Sequence, residues 1–466
     1  LPIKIYDSLT REKREFKPLK GNRVLMFVCG PTVYDLSHIG HARTYIAYDI
    51  IARFLKASGY SVFFLMNITD IDDKIINRAK ELGVSPSELS KKMTEEFFKD
   101  MEALNISSIN LYAKASEHIP EIIQQISILI DKGYAYKVNG DIYFDISKFP
   151  EYGKLSHQKP EELIKHRIEP DPRKRNPGDF ALWKSRKPDE PYWESPWSEG
   201  RPGWHIEDTA ITYTYFGPQY DIHGGAVELV FPHHEAEIAQ GESLSGVESM
   251  VNFWVHTGVL TIKGQKMSKS LKNYITIRDA LRSYSVNALR IFFALSHYRS
   301  PIDFNEENLK QAEAIAENLY RVYKKTLNLL KENLKNESRI EATREIEAFR
   351  KSFYEAMEDD FNTPQALAVL LSFSKRVDSL KEIGKKDLKS IINLFKEFFY
   401  ILGLFEKEEK AENEEIISSL IELILKIREE IRKRKDWKLS DEIREKLNEL
   451  GFIIEDTPQG AKWVKL

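Results

Sequence analysis

Three short runs of residues carry most of the chemistry this chain could do. The first runs Cys29-Gly-Pro-Thr-Val-Tyr-Asp-Leu-Ser-His38-Ile-Gly40-His41. It lies where an apolar run passes into a helical pattern, so backbone amides and two imidazoles converge on an anion, a phosphate above all. His38 and His41, three apart, are expected to share a helix face and donate to phosphate oxygens. Gly40 is expected to let a nucleobase approach the backbone where a Cβ would collide. The second run is Lys266-Met267-Ser268-Lys269-Ser270, after a strand-like segment and a Lys-Gly turn. Two ammonium groups on such a loop can follow charge onto the β- and γ-phosphates as pyrophosphate leaves. The third, Phe231-Pro-His233-His234-Glu235-Ala-Glu237, sets His233 and Glu237 at i, i+4 behind a proline suited to a helix start. With Cys29 at a strand end in the same crevice, that mixed sulfur, nitrogen and oxygen set matches Zn²⁺ best. Each run also has a plain structural reading: a capping His pair, a solvated Lys loop, a solvated His/Glu pair, a buried core cysteine.

These residues need a frame. Val24 to Cys29 is an unbroken apolar run of strand length, stopped by Gly30-Pro31. From about Thr44 to Ser58 apolar residues recur at helical spacing, with Gly59 as the stop, and Ser61 to Met66 is a second apolar strand. The pattern is a βαβ unit, the opening of a doubly wound nucleotide-binding fold. In such sheets ligands lie beyond the carboxyl ends of the strands, so Cys29 and Asn67, Thr69, Asp70, Asp72 and Asp73 should face one crevice. From about Leu111 to Gly203 an insertion is expected, with a type I′ hairpin at Asn139-Gly140. The nucleotide fold would resume through Trp204 to Ile211 and Asn252 to Leu260. Ser285 to Leu404 reads as a wholly helical bundle without strands, and Glu406 to Glu415 as an acidic linker. A helical segment, RKRKDW, another amphipathic helix and a β-like tail complete the chain. The expected boundaries are 1–110 and 204–284 for the two halves of the nucleotide fold, 111–203 for the insertion, 285–405 for the bundle and 406–466 for a small mixed α/β module.

Composition narrows the function. The chain has 466 residues, 69 Lys+Arg against 72 Asp+Glu, a net charge of −3 and one cysteine. Several domains are expected at that length, and a wholly basic nucleic-acid binder is excluded. A lone cysteine forms no intramolecular disulfide and fits a reducing cytosol. The first residues hold no apolar stretch of signal-peptide length, and Ile119 to Ile130 and Ile416 to Ile427 are too short and polar for a membrane span. A cytoplasmic protein with no membrane partner, working as a monomer, is expected.

HIGH at His38 to His41 and KMSKS at Lys266 to Ser270 resemble the ATP-site motifs of class I aminoacyl-tRNA synthetases. The blocks CGPTVYDLSHIGHAR, NITDIDDKII, DFALWK, SPWSEGRPGWHIE, DIHGG, FPHHEAEIAQ, KMSKSLKN, HYRSPIDF, DDFNTPQALAVL and EDTPQGAKW resemble the cysteinyl-tRNA synthetases specifically, along essentially the whole chain. The resemblance implies a Rossmann-like catalytic domain with a connective insertion, a helical bundle and a C-terminal anticodon-binding module. It implies ATP-dependent attachment of L-cysteine to tRNA(Cys) through a cysteinyl-adenylate, with Mg²⁺ accompanying ATP; the insertion after Leu111 is too short for an editing domain, and none is expected. His38, Gly40, His41, Lys266, Ser268 and Lys269 would handle ATP. The family's zinc, one per chain, is held by two cysteines, a histidine and a glutamate and binds the substrate thiolate. Cys29, His233 and Glu237 match three of these ligands, whereas Asp208 stands where the family has its second cysteine. Carboxylate oxygen is a competent though harder zinc donor. Thr69 and Trp204 match positions lining the amino-acid pocket, and His223 one near zinc and substrate.

The basic run Arg432, Lys433, Arg434 and Lys435 with Trp437 offers charge beside a stacking ring, suited to an unpaired anticodon. Two rival readings exist: a cysteine ligase acting on an amino sugar, which would lack the C-terminal module, and a catalytically impaired RNA-binding paralogue, which would carry broken motifs. Asp208 is the one such departure.

Overall fold

The computed structural model describes residues 2–158, 171–267, 273–332, 340–380, 383–457 and 460–465. Contacts divide the chain into two units, Leu1–Leu404 and Phe405–Leu466. In the first, a hairpin of Lys4–Asp7 (β1) and Glu12–Glu15 (β2) leads into Arg23–Val28 (β3), whose Val24 to Val28 are all buried. Helix α1 (Ile39–Ala57) follows, then Ser61–Ile68 (β4), α2 (Asp73–Leu82), α3 (Pro86–Ala103) and Leu111–Lys114 (β5). Strands β3, β4 and β5 pair in parallel, as the apolar runs predict. After α4 (Ile119–Asp131) comes a four-stranded antiparallel sheet, Ala135–Val138 (β6), Asp141–Phe144 (β7), Phe180–Ser185 (β8) and Gly200–Pro202 (β9). Asn139 and Gly140 both have positive φ, 51° and 95°, as a type I′ turn requires.

The parallel sheet resumes differently from expectation. Trp204 to Ile211 supplies no strand; Ile206–Phe216 is a helix, and the returning strands are Tyr220–Ala226 (β10) and Val251–Thr257 (β11). The five-stranded order is β11-β10-β3-β4-β5. β10 (YDIHGGA) escapes a hydropathy reading because two of its buried residues are polar and hydrogen-bonded: Asp221 accepts from the amides of Leu19 and Leu25, and His223 meets Tyr220.

Leu260–Ile262 (β12) pairs with Gln265–Lys266 (β13), antiparallel, and with Ile302–Phe304 (β14), parallel. β14 corrects the expectation of a strand-free stretch from Ser285 to Leu404; so short a strand shows no period, and its partner β12 lies far upstream. The remainder is helical: Val286–Ala294, Glu306–Glu332, Ile340–Glu358, Thr363–Asp378 and Lys385–Leu402. Glu406 to Glu415 is likewise no linker, since the backbone is one helix over Glu406–Lys433. Glu, Lys and Ala are good helix formers, so this composition reads alike in a linker and in an exposed helix. In the second unit, Ile421, Leu425, Leu447 and Ile454 form a small core under the Trp437–Glu449 helix and the Phe452–Thr457 (β15) and Gly460–Lys465 (β16) hairpin.

A buried ionic knot ties α1 to the helices around it. Asp49 Oδ2 accepts from Arg53 Nε at 2.7 Å and from Arg290 at 2.6 Å, while Oδ1 accepts from the Ser108 hydroxyl at 2.6 Å. Arg290 Nε also donates to Leu402 O (2.8 Å) and Arg53 to Tyr400 O (3.1 Å), which fixes the end of the Lys385–Leu402 helix. Burial pushes the Asp49 carboxyl up, but Arg290 and Arg53 outweigh it and hold it below its ordinary value. A depressed folded pKa means that this stabilisation is complete above the ordinary carboxylate range and is lost as pH falls through the depressed value. Asp49→Leu should therefore cost ~3–5 kcal/mol at neutral pH by stranding two guanidiniums. Urea unfolding of the intact chain checks this; an unchanged midpoint would mean that water, not Asp49, satisfies them.

Candidate active site and metal centre

The carboxyl ends of β3, β4 and β10 open on a cavity of about 390 Å³, lined among others by Cys29, Thr32, His38, Gly40, His41, Asn67, Thr69, Lys74, Trp204, Asp208, His233 and Met267. That is a ligand-sized space at the expected end of a parallel sheet. The chain turns sharply into it after β3. A Cβ on Gly30 would fall on the carbonyl of Asn67, so glycine alone lets the Cys29 loop lie against the end of β4.

At one wall stands the histidine pair. His38 is the extended N-cap of α1 (φ −110°, ψ 169°) and not on its face, which corrects the expectation of a shared helix face. Its Nδ1 accepts from the amides of Gly40 (3.1 Å) and His41 (3.4 Å), while His41 Nδ1 accepts from the amide of His38 (3.2 Å). The rings stack 3.8 Å apart. With each Nδ1 an acceptor, the hydrogen-bond pattern assigns the proton of both rings to Nε2. Burial, then His38 and Lys74, hold His41 well below its ordinary pKa and therefore neutral. At Gly40 a Cβ would lie 2.9 Å from the His38 ring, so glycine makes room for that capping imidazole. Lys266 ends β13 and Met267 reaches the cavity, whereas Ser268, Lys269 and Ser270 lie outside the described residues.

At the other wall four buried donors crowd together. Cys29, Asp208, His233 and Glu237 each offer an atom within 4.8 Å of all the others. His233 Nε2 is 3.0 Å from Asp208 Oδ2 and 3.2 Å from Glu237 Oε1, and Cys29 Sγ lies 3.3 Å from Asp208 Oδ2 and 4.0 Å from Glu237 Oε1. A tetrahedral ion with bonds of ~2.0–2.3 Å would set its donors about 3.2–3.8 Å apart. Local structure explains the placement: Phe231 is extended (φ −134°, ψ 135°), so the helical turn starts at Pro232, and His233 and Glu237 come one above the other. Asp208 enters from the first turn of the Ile206–Phe216 helix, and Asn67 Nδ2 holds its Oδ1 at 2.6 Å. Asn67 Oδ1 accepts from the Gly30 amide at 2.6 Å, so one side chain fixes both the Cys29 loop and Asp208.

The protein alone leaves this group unsatisfied. Glu237 Oε2 is buried and accepts no hydrogen bond, with His223 Nε2 3.4 Å away. Burial, then Glu237 and Asp208, push the Cys29 thiol well above its ordinary range, and burial, then Asp208, does the same to Glu237. A cation is what such a set of acids lacks. The residues thus fit a divalent metal with one sulfur, one nitrogen and two oxygen donors.

A second set, Cys29, His223, His234 and Glu237, overlaps the first. His234, to which the sequence assigns no role, has Nε2 3.1 Å from Cys29 Sγ, and His223 Nε2 is 3.5 Å from it. Burial first, and neighbouring imidazoles second, lower both histidines. His234 Nδ1 meets His256 Nε2 at 2.8 Å and His256 Nδ1 meets Ser8 at 2.7 Å, while Tyr220 holds His223 Nδ1 at 2.7 Å. Cys29, Asp208 and His233 line the cavity, whereas His223 and His234 do not. The first set therefore has three donors on the cavity and the second has one, Cys29.

Trp204 stacks on His233 with ring centroids 4.3 Å apart, and Thr69 donates to buried Glu207 at 2.9 Å. Of the acidic loop expected at the crevice, three residues turn to other partners: Asp70 to Ser116, Asp72 to the amide of Lys74, Asp73 to Lys184 and Arg201. In the second unit Arg432 and Lys433 end the Glu406–Lys433 helix, Asp436 caps the next, and the Arg432 guanidinium lies 5.8 Å over the exposed Trp437 ring. Lys433 is paired with Glu430 at 2.8 Å, so it contributes less free charge than the run suggests.

Comparison with known proteins agrees with this geometry. Residues 15–314 match the tRNA synthetases class I (C) catalytic domain, 352–406 the DALR domain and 417–463 the cysteinyl-tRNA ligase anticodon binding domain. Cysteine–tRNA ligases of Thermococcus gammatolerans and Pyrococcus horikoshii are 48% and 47% identical, each covering all of both chains; that of Methanococcus maripaludis is 45% identical over 98% of each. Mycobacterium tuberculosis methionyl-tRNA synthetase, solved with methionyl-adenylate, shares the fold at 15% identity (TM-score 0.58, 82% of this chain and 89% of that one). The Agrobacterium radiobacter LeuRS of a ternary complex with tRNA and LeuAMS does so at 11% identity (TM-score 0.61, 83% and 85%). A match along its whole length, around a cavity that joins a histidine pair to a buried donor set, establishes that this chain belongs to the cysteine–tRNA ligase family of class I aminoacyl-tRNA synthetases.

Proposed function

We propose that this chain joins L-cysteine to tRNA(Cys) at the expense of ATP, in two steps within the cavity at the end of the parallel sheet. The observation that carries the reading is the shared cavity: the imidazoles of His38 and His41 and the donors Cys29, Asp208 and His233 line one space. His38 and His41 present Nε2–H to phosphate oxygens. Lys266, Ser268 and Lys269, with Mg²⁺, meet the charge that develops on pyrophosphate. Thr69 and Trp204 bound the amino-acid side, and Glu207 fixes the Thr69 hydroxyl. Cys29, Asp208, His233 and Glu237 would hold a zinc ion, which would supply a Lewis acid able to favour a thiolate, from a thiol of pKa ~8.5, over a hydroxyl, so that cysteine would be told from serine without editing. His223, with Nε2 3.5 Å from Cys29 Sγ, helps orient that site.

The second unit reads the anticodon, with Arg432 and Trp437 as a stacking platform. Lys433 is engaged with Glu430, and Arg432, Arg434 and Lys435 carry the rest of the positive charge of the run. Removing the chain from Glu406 onward should spare adenylate formation and weaken tRNA charging. Charge reversal at Arg432, Arg434 and Lys435 should weaken RNA binding and flatten its salt dependence. Charging that survives truncation unchanged would contradict an anticodon-reading role. The boundaries 1–110, 111–203, 204–284, 285–405 and 406–466 correspond to catalytic half, connective insertion, catalytic half, helical bundle and anticodon module. Among the described residues no helix is long and apolar enough to cross a membrane. The reaction belongs in the cytoplasm, where tRNA is charged for translation, and one chain supplies every residue named, so a monomer suffices.

The test is cysteine-dependent exchange of pyrophosphate into ATP by zinc-supplied protein. Exchange with cysteine and not serine supports the reading; its absence in folded protein overturns it. A ligase joining cysteine to an amino sugar would show the same exchange, but the match of residues 417–463 to an anticodon binding domain disfavours it.

A further inference from the structure

Among the described residues, one of the cavity's two cations has a side chain that makes neither a hydrogen bond nor an ion pair. Two full cations line the cavity among the described residues, Arg43 and Lys74. Arg43 is committed: it is buried, and its guanidinium donates to the carbonyls of Val259 (3.0 Å), Tyr298 (3.2 Å) and Ser300. Lys74 is not. It stands exposed in the first turn of α2, its backbone amide donating to Asp72 Oδ1 at 2.8 Å, and its ammonium forms no ion pair among the described residues. Its ammonium lies over the face of Tyr34, 5.8 Å from Nζ to the ring centroid.

That freedom is conspicuous because Lys74 follows three aspartates in the run Asp70-Ile-Asp72-Asp73. Each is engaged elsewhere: Asp70 accepts from Ser116, Asp72 caps α2, and Asp73 takes both Lys184 and Arg201. Asp73 is paired from the insertion side, Asp70 and Asp72 are held by hydrogen bonds, and the lysine lines the cavity together with His38 and His41. The two imidazoles there cannot replace it, since neutral His38 and His41 bring donors but no net charge.

We propose that Lys74 is a phosphate-binding residue of this site, its ammonium meeting the phosphoryl oxygens of ATP during adenylate formation. The inference rests on the proposed function for its reaction. In that step a cysteine carboxylate oxygen bonds to the α-phosphorus, the bridging bond from the α-phosphorus to the β-phosphate breaks, and its electron pair leaves on pyrophosphate. No redox change occurs. Negative charge grows on the nonbridging oxygens and the leaving group, and a lysine fixed at its backbone, whose tip has only the face of Tyr34 beside it, can follow that charge without breaking an ion pair. The same charge would be available to a tRNA phosphate in the second step; the ATP role is favoured because Lys74 shares its wall with His38 and His41.

Three proteins decide it: the unaltered chain, Lys74→Met, which keeps length and loses charge, and Lys74→Arg, which keeps charge. Calorimetric binding of a nonhydrolysable ATP analogue and of adenosine is read beside exchange kinetics and Tm. Lys74→Met should lower kcat/KM for ATP about 10- to 100-fold, weaken the analogue but not adenosine, and leave Tm and the cysteine KM unchanged. Lys74→Arg should restore most of the loss. Wild-type exchange in Lys74→Met, equal weakening of adenosine and analogue, or a defect confined to transfer from preformed adenylate to tRNA would each overturn the proposal. If the unaltered chain shows no exchange, the reaction assigned above fails, while the two binding arms still decide whether Lys74 holds phosphate.

Discussion

Cys29→Ala should sharply weaken zinc retention by the protein. The chain has one thiol in all, and it lies among Asp208, His233 and Glu237 with no second sulfur to share the charge transfer to an ion. Structural zinc sites of four protein donors are worth on the order of 10–16 kcal/mol, so loss of one donor, and that the softest, should weaken retention by about 10²- to 10³-fold. Competition with a chromophoric chelator reads this directly. Asp208 provides the graded control. Asp208→Cys should tighten retention by adding a thiolate, and Asp208→Ala should loosen it and raise the cysteine KM. Retention lost in Cys29→Ala but equal in both Asp208 variants would remove Asp208 from the ligand set and move attention to His223 and His234, whose Nε2 atoms lie 3.5 and 3.1 Å from Cys29 Sγ.

Lys269→Ala is the second large effect, a fall of ~10² to 10³ in exchange with folding intact, as for other single contacts made chiefly in a transition state. Its basis is the KMSKS pattern and the position of its neighbour: β13 ends at Lys266 and delivers Met267 to the cavity wall. The expected signature is a loss in kcat with little change in the ATP KM, because the contact strengthens as pyrophosphate departs. A variant that exchanges at the original rate would reduce the loop to a structural element.

Much of this site is legible in the sequence, for a physical reason. Strands buried on both faces write themselves as apolar runs, so β3 and β4 and the crevice at their ends follow from Val24 to Met66. Cys29, His233 and Glu237 follow from donor chemistry and helical spacing. What stays hidden depends on residues far apart in sequence. Asn67 gives no periodic signal, yet it joins Gly30 to Asp208 across 37 and 141 positions. His234 looks like a duplicate of His233 until the fold turns it toward His256 and Ser8. β10 is obscured by its buried, hydrogen-bonded polar residues, β14 by its shortness, and the Glu406–Lys433 helix by a composition shared with linkers. Spacing alone puts His38 on a helix face because it does not tell an N-cap from the first turn; the capping bonds are what commit its Nδ1 to the amides of Gly40 and His41.

Attachment of radiolabelled L-cysteine to a tRNA(Cys) transcript by the zinc-supplied protein, followed with serine as competitor, tests the central claim most directly. The account predicts ATP-dependent, acid-stable and base-labile label on the RNA that serine does not displace and that Cys29→Ala abolishes. Label that appears on cysteine-adenylate but never on tRNA, or charging that serine supports equally, would contradict it.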